Sequence, residues 1–592
     1  MDTEQSRSRI VFTNKARCRD CYRCVRVCPV KAIRMEDGQA HVEEDRCIAC
    51  GTCIRECPQG AKTFRDDTSR AKEIMAGGGP IAASVAPSFA AVFTEWERKR
   101  LPSALRKLGF SYVAETAIGA YHVAHKTAEL VAADPTHSHV CTACPAAVTY
   151  IERYQPDLVG YLTPVCSPMV AHARHIKANL GPDTHVIFIG PCVAKKAEAE
   201  RPENEGAVDC VLTFRELVQW LDQESILLAE CEESGFDEQP EGDARFFPLE
   251  GGSLRTACLD ANLLATDNVS VSGAEAVHEA LESLRNDPAP VVIEPLFCPH
   301  GCVGGPAIPR EANLYDRRRE VLGYATRNPG TEPGEPEPEE ALKAEFTDKP
   351  LVEEVEITEE KIREVLARTG KVTPEDELNC TACGYPTCRD KAIAVLRGLA
   401  EPEMCIPHMR RLAEQRTDRI IETSPNGIVI VDEHMDILSM SPAFRRMFMC
   451  TEAVLGKRIS YLMDPDPFER LASTGEDLLE MTVTHERYGI VCHQILYPLR
   501  EEHQYVGIFV NVTRGVADRQ KLDQLRAQTV NQAQQLLQHQ ITMAQQIGKF
   551  LGESAAQGEK LVQNLMQMAG EEHEPTGKEG DDWLADTYTS KS

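Results

Sequence analysis

Cysteine is the residue type whose number and spacing point to chemistry in this sequence. The chain contains 23 cysteines, and most of them lie in short clusters rather than singly. Thiolates are soft ligands that bind iron–sulfur clusters and zinc. The chain begins without an apolar export signal, and thiols of the cytosol stay reduced, so we interpret the clusters as metal ligands and not as disulfides. The sequence therefore predicts a cytoplasmic protein that binds metal through sulfur.

The first cysteines form an internal repeat. The spacing Cys-x2-Cys-x2-Cys-x3-Cys-Pro begins at Cys18 and again at Cys47. In bacterial two-cluster ferredoxins, three cysteines of such a run hold one 4Fe-4S cluster and the fourth ligates the other. The predicted ligand sets are Cys18, Cys21, Cys24 and Cys57 for one cluster, and Cys28, Cys47, Cys50 and Cys53 for the other. Zinc is the alternative, but a zinc site needs about four ligands in pairs. Residues 8–67 are thus predicted to be a ferredoxin-like domain with two 4Fe-4S clusters for electron transfer.

Three further cysteine-bearing loops follow apolar strands within residues 75–327. Strands such as Ile81–Val85, Val186–Ile189 and Val291–Glu294 alternate with helical stretches, which predicts an α/β domain. The loops are Val140–Pro145, Gly190–Glu198 and Glu294–Gly305. Open α/β sheets build their binding sites at the carboxyl ends of strands, so these loops are candidates for one site.

The three loops resemble, in order, the active-site signatures of the iron-only (FeFe) hydrogenases, over about residues 10–327. The resemblance implies an H-cluster, in which a 4Fe-4S cubane shares one cysteine with a two-iron unit carrying CO, cyanide and a dithiolate. The cubane ligands implied by position are Cys144, Cys192, Cys298 and Cys302, with Cys302 as the bridge. Lys195 falls where the family's lysine bonds a cyanide, and Pro191 and Ala143 fall beside the two-iron unit. Taken alone, Lys195 could equally be a solvated helix residue.

The sequence departs from the catalytic members of that family at the proton route. Those members carry a proton-delivering cysteine where this chain has Ala143, and their acidic relay residues are missing from residues 116–122. Fast proton transfer needs a titratable group within hydrogen-bond reach. His122, His125 or Cys141 could substitute, although a lone histidine is more often structural. The pattern resembles the sensory branch of the family, in which slow reaction with hydrogen would suit detection.

A second cysteine module lies in residues 356–412, after an acidic Pro/Glu-rich linker at 328–355. Cys380, Cys383, Cys388 and Cys405 have the spacing C-x2-C-x4-C-x16-C, which suits a 4Fe-4S cluster held by a loop and a helix. The segment resembles the small helical 4Fe-4S domain of electron-bifurcating and corrinoid iron–sulfur proteins. Zinc is again the alternative.

The C-terminal part has the character of a signalling region. Residues 416–515 resemble a PAS domain through Ser424–Asp432, Asp436–Phe444 and Tyr505–Thr513, with an inert accessory α+β domain as the alternative. The PAS ligand is unknown. Residues 516–569 form an amphipathic pattern with imperfect heptads, which predicts a signalling helix or coiled coil and a homodimer. Residues 570–592 are predicted to be a disordered tail.

Composition excludes several classes of partner. The chain has 592 residues, a formal net charge of −28 and 26% charged residues. Its length predicts roughly three to five domains, here a multidomain protein of α/β and α+β type. The acidic balance argues against nucleic acid or an anionic membrane surface, and no apolar run reaches the roughly 18 residues of a membrane span.

Three functions remain open at this point. The first is a hydrogen or redox sensor that reacts slowly with H2 and relays its redox state through 4Fe-4S clusters to the PAS domain and a separate output partner, such as a kinase or phosphatase. The second is a catalytic ferredoxin-linked hydrogenase with an unusual proton path. The third is an iron–sulfur electron carrier or scaffold that lacks the two-iron unit. The resemblance implies H2 and protons, a ferredoxin or similar electron carrier, and hydrogenase maturation proteins as partners, and it leaves open whether the chain is an enzyme.

Overall fold

The structure is a computed structural model that describes residues 9–260, 266–286, 289–309, 312–332, 337–351, 357–513, 529–540 and 543. The chain divides into two compact units, Met1–Met404 and Cys405–Ser592, which are described in turn. Among the helices in these ranges, none is both long enough and apolar enough to cross a bilayer.

The beginning of the first unit repeats its local structure along with its sequence. Its elements are β1 (Val11–Thr13), α1 (Arg23–Val27), β2 (Ile33–Glu36), β3 (Gln39–Val42), α2 (Thr52–Glu56) and β4 (Lys62–Phe64). Strand β1 pairs antiparallel with β4, and β2 pairs antiparallel with β3. A residue in the left-handed conformation precedes each helix: Tyr22 has φ 55° and Gly51 has φ 73°. Each cysteine run therefore turns sharply into a short helix, as a ferredoxin-like domain requires.

Two parallel sheets form the α/β part of the first unit. The strands are β5 (Ile81–Val85), β6 (Tyr112–Glu115), β7 (His139–Val140), β8 (His185–Gly190), β9 (Cys210–Thr213), β10 (Asn268–Ser272) and β11 (Val292–Leu296). One sheet has the order β6-β5-β8-β9 and the other has the order β10-β11-β7. All of these pairings are parallel, which confirms the α/β class predicted from apolar runs.

One predicted strand is displaced along the chain. The apolar pattern placed it at Val291–Glu294, whereas β11 runs over Val292–Leu296. The sequence predicts that this strand ends before Pro295, because proline has no amide hydrogen to donate to a neighbouring strand. Its carbonyl group can still accept, and the pairing with β10 continues through Pro295, which lies opposite Val271.

Helices cover these sheets and complete the core. The described α-helices of the unit are α3 (Thr68–Ala76), α4 (Glu95–Arg98), α5 (Leu101–Leu108), α6 (Ala117–Ala133), α7 (Pro145–Tyr154), α8 (Pro168–Leu180), α9 (Ala194–Ala199), α10 (Phe214–Gln223), α11 (Gly252–Thr256), α12 (Ala274–Asn286), α13 (Leu314–Arg327), α14 (Glu339–Leu342), α15 (Glu359–Arg368) and α16 (Cys388–Leu396). The largest core packs β5 and β8 against buried side chains that include Phe89, Leu105 and Leu217.

Part of the predicted linker packs on the α/β part. Leu342 is buried at 5% exposure and joins the main core. The Ala344 amide donates to the Pro164 carbonyl at 3.1 Å, and the Cys166 amide donates to the Leu342 carbonyl at 2.8 Å. Ala344 and Phe346 also pack on the cores, and the Arg174 guanidinium donates to the Ala341 carbonyl at 3.0 Å. Apolar contacts and backbone hydrogen bonds together therefore dock residues 337–351.

Helices α6 and α8 approach each other closely at Gly119. A β-carbon at Gly119 would lie 2.4 Å from the Pro168 carbonyl oxygen and 2.6 Å from the His172 amide nitrogen. Only a residue without a side chain lets the two backbones come so near. This approach fixes how the later turns of α6 and α8 face one another.

The second unit contains a five-stranded antiparallel sheet of order β13-β12-β16-β15-β14. Its elements are α17 (Ile406–Thr423), β12 (Gly427–Asp432), β13 (Ile437–Met440), α18 (Pro442–Met447), α19 (Asp466–Thr474), β14 (Leu479–His485), β15 (Ile490–Leu499) and β16 (Gln504–Asn511). The Ser441 hydroxyl accepts from the Phe444 amide, so Ser441 caps the helix that begins at Pro442, as expected for a serine before a proline at the first helical position.

The C-terminal helix prediction is only partly within the described residues. Residues 529–540 are helical, and Val530 and Ala533 pack on Ile428 and Ile495 of the sheet. The rest of the predicted signalling helix, apart from residue 543, and the whole predicted tail lie outside the described residues.

Replacement of Gly119 by alanine is expected to destabilise the first unit. The added methyl group overlaps backbone atoms of α8 that cannot move independently, so the free energy of unfolding should fall by roughly 1–3 kcal/mol. The measurement is the apparent melting temperature of the iron-loaded full chain at a fixed heating rate. Gly160→Ala is the matched control, because nothing lies within 4 Å of a β-carbon there. Equal melting temperatures for the two variants would contradict the close approach.

Candidate metal centre

A cavity of about 90 Å³ lies where the carboxyl ends of the two parallel sheets meet. Segments that follow β5, β6, β7, β8 and β11 contribute to its wall, as expected for an open α/β fold. It brings together the four cysteines whose positions match the cubane ligands. They are Cys144, Cys192, Cys298 and Cys302.

Local backbone structure positions each of these thiols. Cys144 is the N-cap residue of α7, and Pro145 is the first residue of that helix. Cys192 follows β8 and precedes α9. Between Cys298 and Cys302 the chain turns through Gly301 at φ 86°.

Glycines allow the last of these loops to pack backbone against backbone. A β-carbon at Gly301 would lie 2.5 Å from the Pro248 carbonyl oxygen, and one at Gly304 would lie 2.1 Å from the Pro299 carbonyl oxygen. One at Gly305 would lie 2.7 Å from the Pro191 carbonyl oxygen. Gly301 and Gly305 also line the cavity, so the absence of side chains leaves room on both sides of this loop.

The four cysteines are half-buried and act on one another electrostatically. Burial and the neighbouring Cys144 raise the pKa of Cys192 to about 12. Burial raises the pKa of Cys298 well above its usual range, and Cys192, Cys144 and Cys302 add to the effect. Thiols in this state ionise when a cationic centre binds them. Four converging soft donors therefore fit an iron–sulfur cubane.

Lys195 lines the same cavity and is held in place by polar partners. Its ammonium group donates to the Ser167 hydroxyl at 2.7 Å, to the Glu198 carboxylate at 2.7 Å and to the Ala143 carbonyl at 3.4 Å. The lysine is 8% exposed, so it is not the solvated helix residue of the alternative interpretation. Glu198 lies three residues further along the helix and could have been noticed as a partner. Ser167 carries no local sequence signal, since it belongs to the turn before α8.

The remaining wall of the cavity is largely apolar. Ala143 and Pro191 line it, as expected from their positions. Among the described lining residues, polar side chains other than the cysteines and Lys195 are the hydroxyls of Ser88 and Thr116.

The three residues considered as substitute proton carriers are not part of this wall in the described structure. Cys141 is buried beside Leu254 and Val292, and the His125 ring lies 3.0 Å from the Tyr121 carbonyl oxygen. His122 lies beside Glu337 and is treated further below. Their relay role stays a prediction.

The ferredoxin-like part brings its cysteines together in two groups. The charges that act on Cys24 include those of Cys18, Cys21 and Cys57. The charges that act on Cys53 include those of Cys28, Cys47 and Cys50. Each group thus contains three cysteines of one run and the fourth cysteine of the other, and their assignment as cluster ligands stays a prediction.

One of these groups lies next to the cavity. Cys144 is among the groups that act electrostatically on Cys50. The Arg55 guanidinium lies 3.4 Å from the Gly304 carbonyl oxygen, and a β-carbon at Gly51 would lie 2.4 Å from the Pro306 side chain. The loop that carries Cys302 is therefore packed directly on the ferredoxin-like part.

The second cysteine module contacts the other side of the ferredoxin-like part. The Lys31 ammonium donates to the Gly384 carbonyl at 2.8 Å, and the Arg26 guanidinium donates to the Ala382 carbonyl at 3.1 Å. Both Cys28 and Cys383 act electrostatically on Lys31. Cys380, Cys383 and Cys388 lie in this unit, and Cys405 is buried at the first position of the second unit.

Four family models match the chain. Residues 79–306 match the model described as iron only hydrogenase large subunit, C-terminal domain. Residues 10–58 match a 4Fe-4S dicluster domain, residues 376–407 match an Fe-S cluster segment, and residues 415–513 match the PAS fold.

Relatives include both hydrogenases and an assembly factor. The chain is 27% identical to the periplasmic Fe hydrogenase large subunit of Nitratidesulfovibrio vulgaris, over 52% of this chain and 89% of that protein. It is 38% identical to the cytosolic Fe-S cluster assembly factor NAR1 of Vanderwaltozyma polyspora, over 16% of this chain and only 18% of that protein. A solved FeFe-hydrogenase of Chlamydomonas reinhardtii shares 18% identity at a TM-score of 0.40, over 48% of this chain and 99% of that chain.

The order of the cysteine loops, the α/β architecture and the family models agree with one another. Residues 79–306 therefore form an iron-only-hydrogenase-like domain for an H-cluster-type iron–sulfur cofactor, in a chain that also contains a 4Fe-4S dicluster domain before it and a PAS domain after it.

Proposed function

We propose that this chain is a hydrogen or redox sensor that reacts slowly with H2 and passes its redox state to the PAS domain. One observation carries the proposal: the cavity combines four converging thiols and Lys195 with an alanine, Ala143, where a proton carrier would be needed. The residues that bind the cofactor are retained, while the fast proton route is lost.

The cavity residues have distinct roles in this proposal. When bound, an H-cluster supplies the reversible conversion of H2 into two protons and two electrons. The cubane ligands would be Cys144, Cys192, Cys298 and Cys302, with Cys302 as the bridge. Lys195 lies in the largely apolar wall of the cavity and would donate a hydrogen bond to an anionic ligand of the cluster. Such a charge-assisted hydrogen bond is strong. Glu198 and Ser167 orient its ammonium group.

Slow proton exchange follows from the wall of the cavity. Alanine cannot carry a proton, and the apolar lining around Ala143 and Pro191 excludes water. Proton arrival would therefore limit turnover. A site that binds H2 and releases its protons slowly suits detection better than bulk conversion.

Electrons have a packed route away from the cavity. Cys144 acts electrostatically on Cys50, and this proximity supports electron transfer from the cavity to the ferredoxin-like part. The contacts of Arg26 and Lys31 with residues 382–384 support transfer onward to the second cysteine module. We propose that Cys380, Cys383, Cys388 and Cys405 hold a 4Fe-4S cluster there.

The proposed partners follow from the same scheme. They are H2 and protons, a ferredoxin or similar electron carrier, maturation proteins that install the two-iron unit, and a separate kinase or phosphatase that receives the signal. We also propose a cytoplasmic location, where thiols stay reduced, and a homodimer formed through the C-terminal helix.

A catalytic hydrogenase with an unusual proton path is the second candidate, and one network favours it. The Thr116 hydroxyl, which lines the cavity, lies 2.7 Å from the Ser84 hydroxyl. Ser84 lies 2.8 Å from Nδ1 of the buried His172. This series of hydrogen bonds leads from the cavity to His172 and offers a proton path that needs no carboxylate.

A cluster scaffold without the two-iron unit is the third candidate. The relative NAR1 is named as a cytosolic Fe-S cluster assembly factor, and its match of 38% identity spans 94 residues. This likeness favours a role in which the cubane is present and hydrogen chemistry is absent.

Infrared spectroscopy of the matured full chain is expected to show bands of CO and cyanide. These ligands belong to the two-iron unit, and the bands should shift when H2 replaces argon because the redox state changes. Cys302→Ser should lose the bands, whereas Cys258→Ser, an exposed cysteine outside the cavity, should keep them. Absence of the bands from the parent chain would favour the scaffold.

Replacement of Ala143 by cysteine is expected to raise the rate of H2 turnover by about 10²–10⁴-fold, the usual contribution of a positioned proton carrier. Ala86→Cys is the matched control, since it also adds a thiol to the lining but at another position. The rate is measured with an artificial electron acceptor at saturating H2. An equal rate of H2 turnover for the parent chain and for Ala143→Cys would show that proton delivery at position 143 does not limit turnover.

A further inference from the structure

A cluster of metal-binding side chains lies apart from the described wall of the cysteine cavity. His122 of α6, His175 of α8 and Glu337 each offer a ligand atom, and these atoms all lie within 4.8 Å of one another. Their side chains are only 9%, 12% and 15% exposed. The group contains no sulfur, so it differs in chemistry from every iron–sulfur site of the chain.

The close approach of α6 and α8 builds this cluster. Gly119 brings the two helices together, and His122 lies one turn further along α6. The His122 and His175 rings stack with centroids 6.1 Å apart. Glu337 then closes the group from the docked segment, in contact with His175 Nδ1 and 4.0 Å from His122 Nε2.

A second carboxylate orients the His175 ring. Its Nε2 atom lies 3.0 Å from Glu238, whose other carboxylate oxygen accepts from the Tyr112 hydroxyl. The Asn179 amide also lies 2.9 Å from this nitrogen. A metal-ligating histidine usually bonds a carboxylate through its second nitrogen, which leaves the first facing the metal. Nδ1 of His175 faces Glu337 in this way.

The surroundings carry an excess of negative charge. Glu238, Glu241 and Glu337 all act on His122. Glu241 has a buried carboxylate oxygen without a hydrogen-bond partner among the described residues. Partly buried carboxylates need a counter-charge, which either a protonated His175 or a divalent cation at the same place supplies.

We propose that His122, His175 and Glu337 bind one divalent transition-metal ion, for which Zn²⁺ is the probe. Two imidazole nitrogens and one carboxylate oxygen, with water in the fourth position, form a ligand set that zinc accepts in tetrahedral geometry. The distances among the ligand atoms require only small side-chain shifts to close around the ion. Bound metal ties the segment that begins at Glu337 to α6 and α8, and so fixes the connection that leads from the hydrogenase-like domain to the second cysteine module.

The test uses the iron-loaded full chain, equilibrated with Zn²⁺ and freed of excess ion by gel filtration. Zinc X-ray absorption should show nitrogen and oxygen ligands at about 2.0–2.2 Å, whereas zinc that has entered a cysteine site shows sulfur at about 2.3 Å. Metal analysis of the parent chain should give about one more tightly bound zinc ion per chain than analysis of the variants His122→Gln and Glu337→Gln. The iron content should be the same in all three.

Two variants and two matched controls complete the experiment. His122→Gln and Glu337→Gln should each lose the zinc with nitrogen and oxygen ligands. His125→Gln, one turn along α6, and Glu345→Gln, further along the docked segment, should retain it. If His122→Gln fails to load iron, the comparison of Glu337→Gln with its control Glu345→Gln decides the question. Both of these residues lie on the docked segment, outside the helices that hold the cysteine cavity. Zinc bound only through sulfur, or bound equally by parent and variants, would show that a protonated His175 between Glu238 and Glu337 holds the cluster by ion pairing alone.

Discussion

The desolvation of thiols that meet in one cavity is the constraint on which this structure depends. Four thiols meet in one cavity, and burial raises the pKa of Cys192 to about 12. Neutral thiols have no reason to converge, whereas thiolates around an iron–sulfur centre are held by strong bonds. The loop from Cys298 to Gly305 is packed backbone against backbone, so it cannot widen to relieve a misplaced sulfur.

The same loop also determines where the ferredoxin-like part lies. Pro306 occupies the space beside Gly51, and the Arg55 guanidinium approaches the Gly304 carbonyl oxygen. The neighbouring metal groups are thus held by rigid packing and not by a flexible tether. On the opposite side, Arg26 and Lys31 donate to backbone carbonyl groups of the second module, so side chains could vary there without loss of the contact.

The sequence predicted what is encoded locally and missed what depends on packing. The cysteine runs, the buried strand Ile81–Val85 and the Ser441 cap each follow from spacing or pattern within a few residues. The docking of residues 337–351 was missed because it depends on contacts with residues distant in sequence, such as the burial of Leu342 in the main core, which a linker-like composition does not reveal. The neighbours His122 and His175 were likewise beyond prediction, since they meet only because Gly119 brings two helices together.

The cavity itself argues for a bound group rather than for a remnant of one. A buried ion pair such as Lys195 with Glu198 adds little stability compared with apolar side chains of similar size. A domain kept only for its fold would gain by replacing the lysine. The lysine, its two partners and the four thiols are understandable together only as a binding site, to which Ala143 adds no titratable group.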